Sequence, residues 1–341
     1  GILRAHPSVM LIAPQLFTQV ATLLSDSAPD TLMQYDLTPR LVNYTSSKPV
    51  KSDNERNPII GSIMNLLLDL ITIIFQEEKI PLVQKWYYPN NHKFALCLTH
   101  DIDDFFVGPI TQFQFALHYL KKKQILDGFL STVIGLLMLI PWGISRLGII
   151  QNKNYSHFIP KFLQNHSSLT FHNEIMDYIS LEKKYGGVST FFILSNPTFH
   201  DGNVNLYNPL FLNLLSCIER AGCEIALHGS YHTPKNGDNM HEEKKLLELL
   251  SKNPINGIRQ HMLRLFLPLT WELQNNEGFL YDSSLGFRND TGFPNGISHP
   301  FRPYSRSQKK PLSILEIPVT VMDVAINTEL QIGNPRILNK I

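Results

Sequence analysis

The sequence has few cysteines and no excess of charge of either sign. Its 341 residues include three cysteines, Cys97, Cys217 and Cys223, and no two of them form a CxxC pair. An odd number of scattered cysteines argues against a disulfide framework and favours a reducing compartment. Thirty basic residues are balanced by 29 acidic ones, so the chain lacks the basic bias typical of nucleic-acid binding. We therefore expect no nucleic-acid partner.

Long uncharged runs are also scarce, and the clearest is GFLSTVIGLLMLIPWGIS at 128–145. Its length is at the lower limit for a bilayer-spanning helix, and Pro141 and two glycines interrupt it. The pattern favours an amphipathic or lid helix within an apolar insertion at about 121–150, with a membrane span as the less favoured alternative. The insertion predicts peripheral membrane contact through 125–150. The amino end lacks the layout of a signal peptide, but the chain begins at Gly1 and a removed leader stays an alternative. The compartment is left open, with a cytoplasmic or membrane-associated location favoured.

Residues 1–90 are predicted to form a partly helical lead-in ahead of a domain at 91–341. In this lead-in, Asn57 and Pro58 predict the start of a helix that runs to Phe75, preceded by a polar loop at 45–57. Further on, short apolar runs alternate with segments of helical spacing. The runs predict strands at 94–99, 189–194, 224–228, 257–263 and 314–319, and the spacing predicts helices at 173–186, 209–222 and 240–253. This alternation predicts an α/β fold with a parallel sheet or barrel.

Three polar clusters follow predicted strands, where α/β folds carry their working residues. The clusters are THDIDD with Asp101, Asp103 and Asp104, LHGSYHT with His228 and His232, and RQHMLR with Arg259, His261 and Arg264. A catalytic zinc ion takes three protein ligands from His and carboxylate groups and keeps one position for water. Two His residues four apart can reach one ion, and Asp103 supplies an anionic ligand. Asp101, two residues earlier, is then placed to accept the proton of the water.

Each cluster has an ordinary structural explanation when it is taken alone. A pair of His residues four apart can be satisfied by local hydrogen bonds, and an acidic turn can cap a helix. The combination of both clusters after strands favours a metal site.

In this order, THDIDD, LHGSYHT and GIRQHML resemble the motifs of the polysaccharide deacetylase family (NodB-homology, carbohydrate esterase family four), in its branch with a T-H-D-x-D first motif. The resemblance covers roughly 90–330 and implies a distorted (β/α)7 barrel that removes acetyl groups from N-acetylated sugars. It implies a divalent metal, expected to be Zn2+, held by Asp103, His228 and His232. It also implies Asp101 as the catalytic base and Arg259 as the residue that hydrogen-bonds this base. Ser230 and Arg264 are the candidate substrate-binding residues, and Arg264 also competes with Arg259 for its role.

The sequence departs from the family at its end, because no strand carrying a His follows Asp323. The barrel could therefore lack its last strand, and His299 is the candidate for the general acid that protonates the departing nitrogen. The alternative for His299 is a loop residue that packs beside Pro300 and Phe301.

The expected function is hydrolysis of the acetyl amide of an N-acetylated sugar in a glycan or lipid-linked saccharide. Two alternatives stay open. One is a catalytically impaired relative that binds a metal or glycan, and the other is an amidohydrolase of a small non-sugar amide.

Overall fold

The computed structural model describes residues 2–6, 9–12, 59–81, 92, 94–105, 113, 116, 117, 120, 125–146, 161–196, 201, 204, 206–288, 291–293, 296, 297, 299–305 and 307–325. The predicted loop at 45–57, Lys121–Lys123 and the chain after Ala325 lie outside these residues. The chain divides into two compact units. Unit 1 comprises 1–96, 232–240 and 256–341, and unit 2 comprises 97–231 and 241–255.

Strands and helices alternate through most of the described chain. In chain order they are β1 (Ile2–His6), β2 (Val9–Ile12), α1 (Ile59–Glu77), β3 (Leu98–Ile102), α2 (Ile125–Arg146), α3 (Lys161–Lys184), β4 (Ser189–Leu194), α4 (Pro209–Arg220), β5 (Glu224–Gly229), α5 (Gly237–Ser251), β6 (Gly257–Gln260), α6 (Leu269–Asn276), β7 (Tyr281–Asp282), β8 (Tyr304–Ser305), β9 (Lys310–Pro311) and β10 (Leu315–Glu316). Two short 3-10 helices, Thr233–Lys235 and His261–Leu263, follow β5 and β6.

Unit 2 is built on three parallel strands with β4 in the middle. Asp101 of β3 lies opposite Phe192 of β4, and Leu194 of β4 lies opposite His228 of β5. The four residues 191–194 of β4 are completely buried. An apolar strand without alternation is typical of a parallel strand covered on both faces. The carboxyl ends of β3 and β5 therefore lie on the two sides of one buried strand.

Helix α4 shows how the sequence sets its own boundaries in unit 2. Asn208 caps its start by accepting the backbone N–H of Leu210 at 2.9 Å, and Pro209 occupies the first turn. Its buried residues, Phe211, Leu214, Leu215 and Ile218, follow helical spacing. Gly222, at φ +78°, accommodates the left-handed conformation just after the helix. The capping signals and the apolar stripe both lie in the local sequence, so this helix was predictable.

Helix α2 contains the long apolar segment and has two different faces. Its buried residues are Gly128, Ser131, Ile134, Gly135 and Met138. Its exposed apolar residues include Leu126, Phe129, Leu130, Leu136 and Leu137. None of the helices in the described part of the chain combines the length and the hydropathy needed to cross a bilayer.

Unit 1 contains a second set of three parallel strands, in which β7 pairs with both β6 and β10. Gly257 is required where β6 meets β7, because a Cβ atom there would lie 2.1 Å from Cζ of the Tyr281 ring. The hairpins β1–β2 and β8–β9 of this unit are antiparallel. Helix α1 also lies in unit 1. It begins and ends two residues later along the chain than the predicted helix from Asn57 to Phe75.

The α/β fold with parallel strands is confirmed, although several boundaries differ from the predicted ones. The strand predicted at 94–99 is Leu98–Ile102, and Phe94 and Leu96 are exposed. Pairing with β4 selects the later residues, so Asp101 lies within the strand rather than after it. The strand predicted at 257–263 ends at Gln260, because Met262 and Leu263 adopt positive φ. Closure into a barrel and the division at residue 90 stay predictions.

Candidate metal and catalytic site

The end of β3 separates its acids by the alternation of side chains along a strand. Successive side chains point to opposite faces, so Asp101 and Asp103 share one direction and His100 and Ile102 share the other. Ile102 is buried, and His100 stacks on Phe191 with its Nε2 2.7 Å from Glu182 Oε1. The side chains of Asp101 and Asp103 stay partly open to solvent, at 19% and 42% exposure. The strand end therefore presents two acids in one direction and is held by His100 and Ile102, which point in the other.

His228, at the end of β5, meets both of these acids. Its Nε2 lies 3.0 Å from Oδ1 of Asp103 and 4.0 Å from Oδ2 of Asp101. The His228 side chain is almost completely buried. The structure thus brings together three of the predicted site residues, at the ends of the two strands that flank β4.

These donor atoms fit a divalent metal. Two ligands of a tetrahedral zinc ion, each at about 2.0–2.1 Å, lie roughly 3.3 Å apart. The 3.0 Å separation of His228 Nε2 and Asp103 Oδ1 is close to this distance. An imidazole nitrogen and a carboxylate oxygen are also the ligand types that catalytic zinc takes. Asp103 and His228 could therefore hold one ion, with Asp101 beside it.

The turn after His228 is held by two further acids of unit 2. Glu243 of α5 accepts the backbone N–H of Ser230 at 3.0 Å, and Asp201 accepts that of Tyr231 at 2.8 Å. Burial raises the pKa of Glu243 to about 7, against the opposing effect of the hydrogen bonds from Ser230. Neither acid was predicted from the sequence, because each is distant along the chain from the motifs and belongs to no cluster.

His232, the other predicted ligand, lies in unit 1 at the start of the short helix Thr233–Lys235. It is exposed. The residues after it are firmly held, since Thr233 Oγ1 donates to Gln260 Oε1 at 2.6 Å and Thr270 Oγ1 donates to the carbonyl of Pro234 at 2.8 Å. His232 as a metal ligand stays a prediction.

Arg259 lies on β6 and is almost completely buried. Its Nε donates to the Ser283 carbonyl at 2.8 Å, and its Nη2 donates to Ser283 Oγ at 3.0 Å. These bonds fix the guanidinium group against the segment after β7. The contact of Arg259 with the catalytic base that the family resemblance implies stays a prediction.

The segment after β6 contains strained backbone and a second buried imidazole. Met262 and Leu263 have φ of 60° and 55°, although neither is glycine. Such conformations cost energy and cluster at functional sites. His261 immediately before them is buried. Arg264 after them is also buried, with its guanidinium carbon 5.6 Å from the centroid of the Phe266 ring.

Two other predicted residues have surroundings that bear on their roles. Ser230 is completely buried, with its backbone N–H bound to Glu243. Burial lowers the pKa of His299 below the usual value for imidazole. A smaller share of this His is then protonated at neutral pH, and a general acid needs the protonated form. The predicted roles of both residues stay predictions.

Unit 1 contains a buried pair of acids that the motifs did not reveal. Asp282 and Glu316 are both completely buried. Gln274 donates to Asp282, while the indole N–H of Trp271 and the backbone N–H of Leu285 donate to Glu316. Burial raises the pKa of both carboxyl groups, and the nearby charge of Arg259 opposes this for Asp282. The pair thus favours protonated carboxyl groups inside the unit.

No family model and no curated protein matches the sequence. Among solved structures, the chain is similar to a polysaccharide deacetylase from Mycobacterium smegmatis, with 17% identity and a TM-score of 0.36 over 70% of this chain and 63% of that one. It is also similar to a Streptococcus pyogenes deacetylase in complex with acetate (15% identity, TM-score 0.27, 46% of this chain and 64% of that one). A third similar structure is a CE4 family pseudoenzyme from Bacillus anthracis (13% identity, TM-score 0.27, 50% of this chain and 57% of that one). The chain spans less than two thirds of each.

Proposed function

We propose that the protein is a metal-dependent hydrolase that removes the acetyl group from an N-acetylated sugar in a glycan or a lipid-linked saccharide. The observation that carries the proposal is the 3.0 Å approach of His228 Nε2 to Asp103 Oδ1, with Asp101 Oδ2 4.0 Å from the same nitrogen. The resemblance of the three motifs, in their order along the chain, supports the same activity.

Asp103 and His228 are the first two proposed ligands of a zinc ion. His232 is the proposed third, because it follows His228 by four residues as the resemblance implies. Metal analysis of His232→Ala tests this assignment, since removing a ligand lowers the zinc content.

A divalent ion at this position would supply Lewis-acid chemistry that polarises a carbonyl and makes water more acidic. Asp101 accepts the proton of the attacking water, because its carboxylate lies beside His228 and remains reachable from solvent at 19% exposure. Arg259 stabilises the charged form of this base. His299 returns a proton to the departing nitrogen, and Ser230 and Arg264 contribute to binding the sugar.

The test is acetate release from a panel of N-acetylated glycans and lipid-linked saccharides by the zinc-loaded protein. Acetate from at least one substrate, and none with Asp101→Asn, is the expected result. Zinc binding without acetate from any substrate would favour the impaired relative. Ring opening of a small cyclic amide, with no acetate released, would favour the amidohydrolase.

We also propose that α2 rests on a membrane surface. Its exposed face carries Leu126, Phe129 and Leu137 at 83%, 68% and 51% exposure. Three lysines, Lys121–Lys123, precede the helix in the sequence and suit an anionic lipid surface. The protein should co-sediment with vesicles containing phosphatidylserine. Leu126→Ser/Phe129→Ser should weaken this binding, while Leu212→Ser, an exposed residue of α4, should leave it unchanged.

A further inference from the structure

The turn that follows β5 is fastened at two consecutive backbone donors. Ser230 N–H is bound by Glu243 and Tyr231 N–H is bound by Asp201, at 3.0 Å and 2.8 Å. The two carboxylates come from separate segments of unit 2, and the turn begins two residues after His228. Hydrogen bonds from a backbone N–H to a carboxylate are stronger than those between neutral groups. We name Asp201 and Glu243 the turn clamp.

Both acids of the turn clamp are buried, at 6% exposure for Asp201 and 1% for Glu243. Burying a carboxylate is costly unless it is well hydrogen-bonded. The backbone of Glu243 makes a further hydrogen bond, because Ser195 Oγ at the end of β4 donates to its carbonyl oxygen at 2.9 Å. The backbone that carries Glu243 is therefore bonded to the end of β4 as well as to the turn.

The bonds from the turn to Asp201 and Glu243 affect the orientation of the His228 side chain. The imidazole is almost completely buried and directed at Asp103. Groups behind a metal ligand commonly set its orientation and tune its affinity for the ion. A backbone fixed at residues 230 and 231 limits the rotation of the chain just after His228. We propose that Asp201 and Glu243 are positioning residues, which hold the turn so that the His228 imidazole faces Asp103.

The proposal rests on the proposed metal site, and a matched control separates it from general stabilisation. Glu248 lies on the same helix α5 and its Oε1 accepts the backbone N–H of Ile255 at 3.2 Å. It makes the same type of bond to a loop that carries none of the proposed ligands. Glu243→Leu, Asp201→Ala and Glu248→Leu should therefore be compared, with Glu243→Gln as the conservative variant, because its amide oxygen can still accept the N–H.

We expect Glu243→Leu and Asp201→Ala to lower zinc affinity by about 10- to 100-fold and to alter the absorption spectrum of the cobalt-substituted protein. Glu248→Leu should lower thermal stability while leaving zinc affinity and the cobalt spectrum as in the parent. Glu243→Gln should recover most of the affinity. Asp201→Ala gives the same readout if Glu243→Leu fails to fold. Equal loss of affinity in Glu243→Leu and Glu248→Leu, or loss of stability alone in both clamp variants, would overturn the proposal.

A readout without metal distinguishes failure of the turn clamp from failure of the proposed function. The 15N signals of the His228 imidazole, assigned with His228→Gln, should shift in Glu243→Leu and Asp201→Ala and stay in place in Glu248→Leu. Unchanged signals in both clamp variants would refute the clamp even if the parent binds zinc. If the His228 signals shift in both clamp variants relative to the parent, and the parent itself binds no zinc, the clamp is supported and the metal site is refuted.

Discussion

The two units contain acid clusters that differ in how far solvent reaches them. In unit 2, Asp101 and Asp103 meet His228 at the ends of two strands, and both acids remain partly exposed. In unit 1, Asp282 and Glu316 are completely enclosed, and they accept hydrogen bonds from Trp271, Gln274, Ser284 and the backbone N–H of Leu285. A cluster that water and ligands can reach is suited to chemistry. A cluster without access is suited to holding elements of the fold together.

The same contrast appears in the partners of the acids. The unit 2 acids face an imidazole, which is a metal ligand and a weak base. Each unit 1 acid accepts hydrogen bonds from neutral groups. Burial then raises the pKa of both unit 1 carboxyl groups, so they resist ionisation. A carboxylate that must bind a cation or accept a proton from water needs the opposite property. Four predictions follow that sharpen or break this division of roles.

The largest effect is expected from removing a proposed ligand. Asp103→Ala and His228→Ala should each lose zinc binding by at least about 100-fold, because a three-ligand site cannot tolerate the loss of one ligand. Metal analysis after gel filtration measures this loss. The control is Asp104→Ala, which removes the exposed neighbouring acid. Zinc content that is equal in the parent and in both ligand variants would remove the contrast between the clusters.

Asp101→Asn should separate catalysis from metal binding. The amide keeps the shape of the side chain but cannot accept the proton of the water. Turnover should fall by roughly 10²–10⁴-fold while the zinc content stays as in the parent. Acetate release and metal analysis on the same preparation check this. Full activity in Asp101→Asn would contradict its role as the base.

Glu316→Leu should reduce stability without affecting zinc. It leaves the indole N–H of Trp271 and the backbone N–H of Leu285 without their buried acceptor. Each lost bond of this kind costs about 1–3 kcal/mol. Urea unfolding measures the effect, and Trp271→Phe/Glu316→Leu should recover part of it by removing one donor. A loss of zinc affinity in Glu316→Leu would show that the unit 1 cluster serves the site.

The smallest effect is expected in the pH dependence of stability. Because the pKa values of Asp282 and Glu316 are raised in the folded protein, the pair stabilises most below the unfolded values of about 4. This stability is lost as pH rises through the folded values. Glu316→Gln cannot ionise, so its unfolding free energy should fall less steeply above pH 4. Urea unfolding at several pH values tests this, with the exposed Glu242→Gln as control, and equal slopes in Glu316→Gln and the parent would contradict it.

Much of the fold was predictable because its signals are local. Helix α4 carries its own cap, proline and terminal glycine, and β4 lies at the predicted residues with an uninterrupted apolar run at 191–194. The start of β3 was predicted four residues too early, since Phe94 and Leu96 look like strand residues but are exposed. Pairing with β4, which the local sequence does not encode, sets the true start.

By itself, the sequence determined which residue types follow which strands. Acids near the end of β3 and histidines near the end of β5 were identifiable from their spacing, and they include Asp101, Asp103 and His228. Only the tertiary structure decided that Asp103 and His228 approach to 3.0 Å, because that distance depends on the register of both strands against β4. It alone also revealed the turn clamp and the pair Asp282–Glu316. These groups come from distant segments, and burial, which gives them their properties, exists only once the chain has folded.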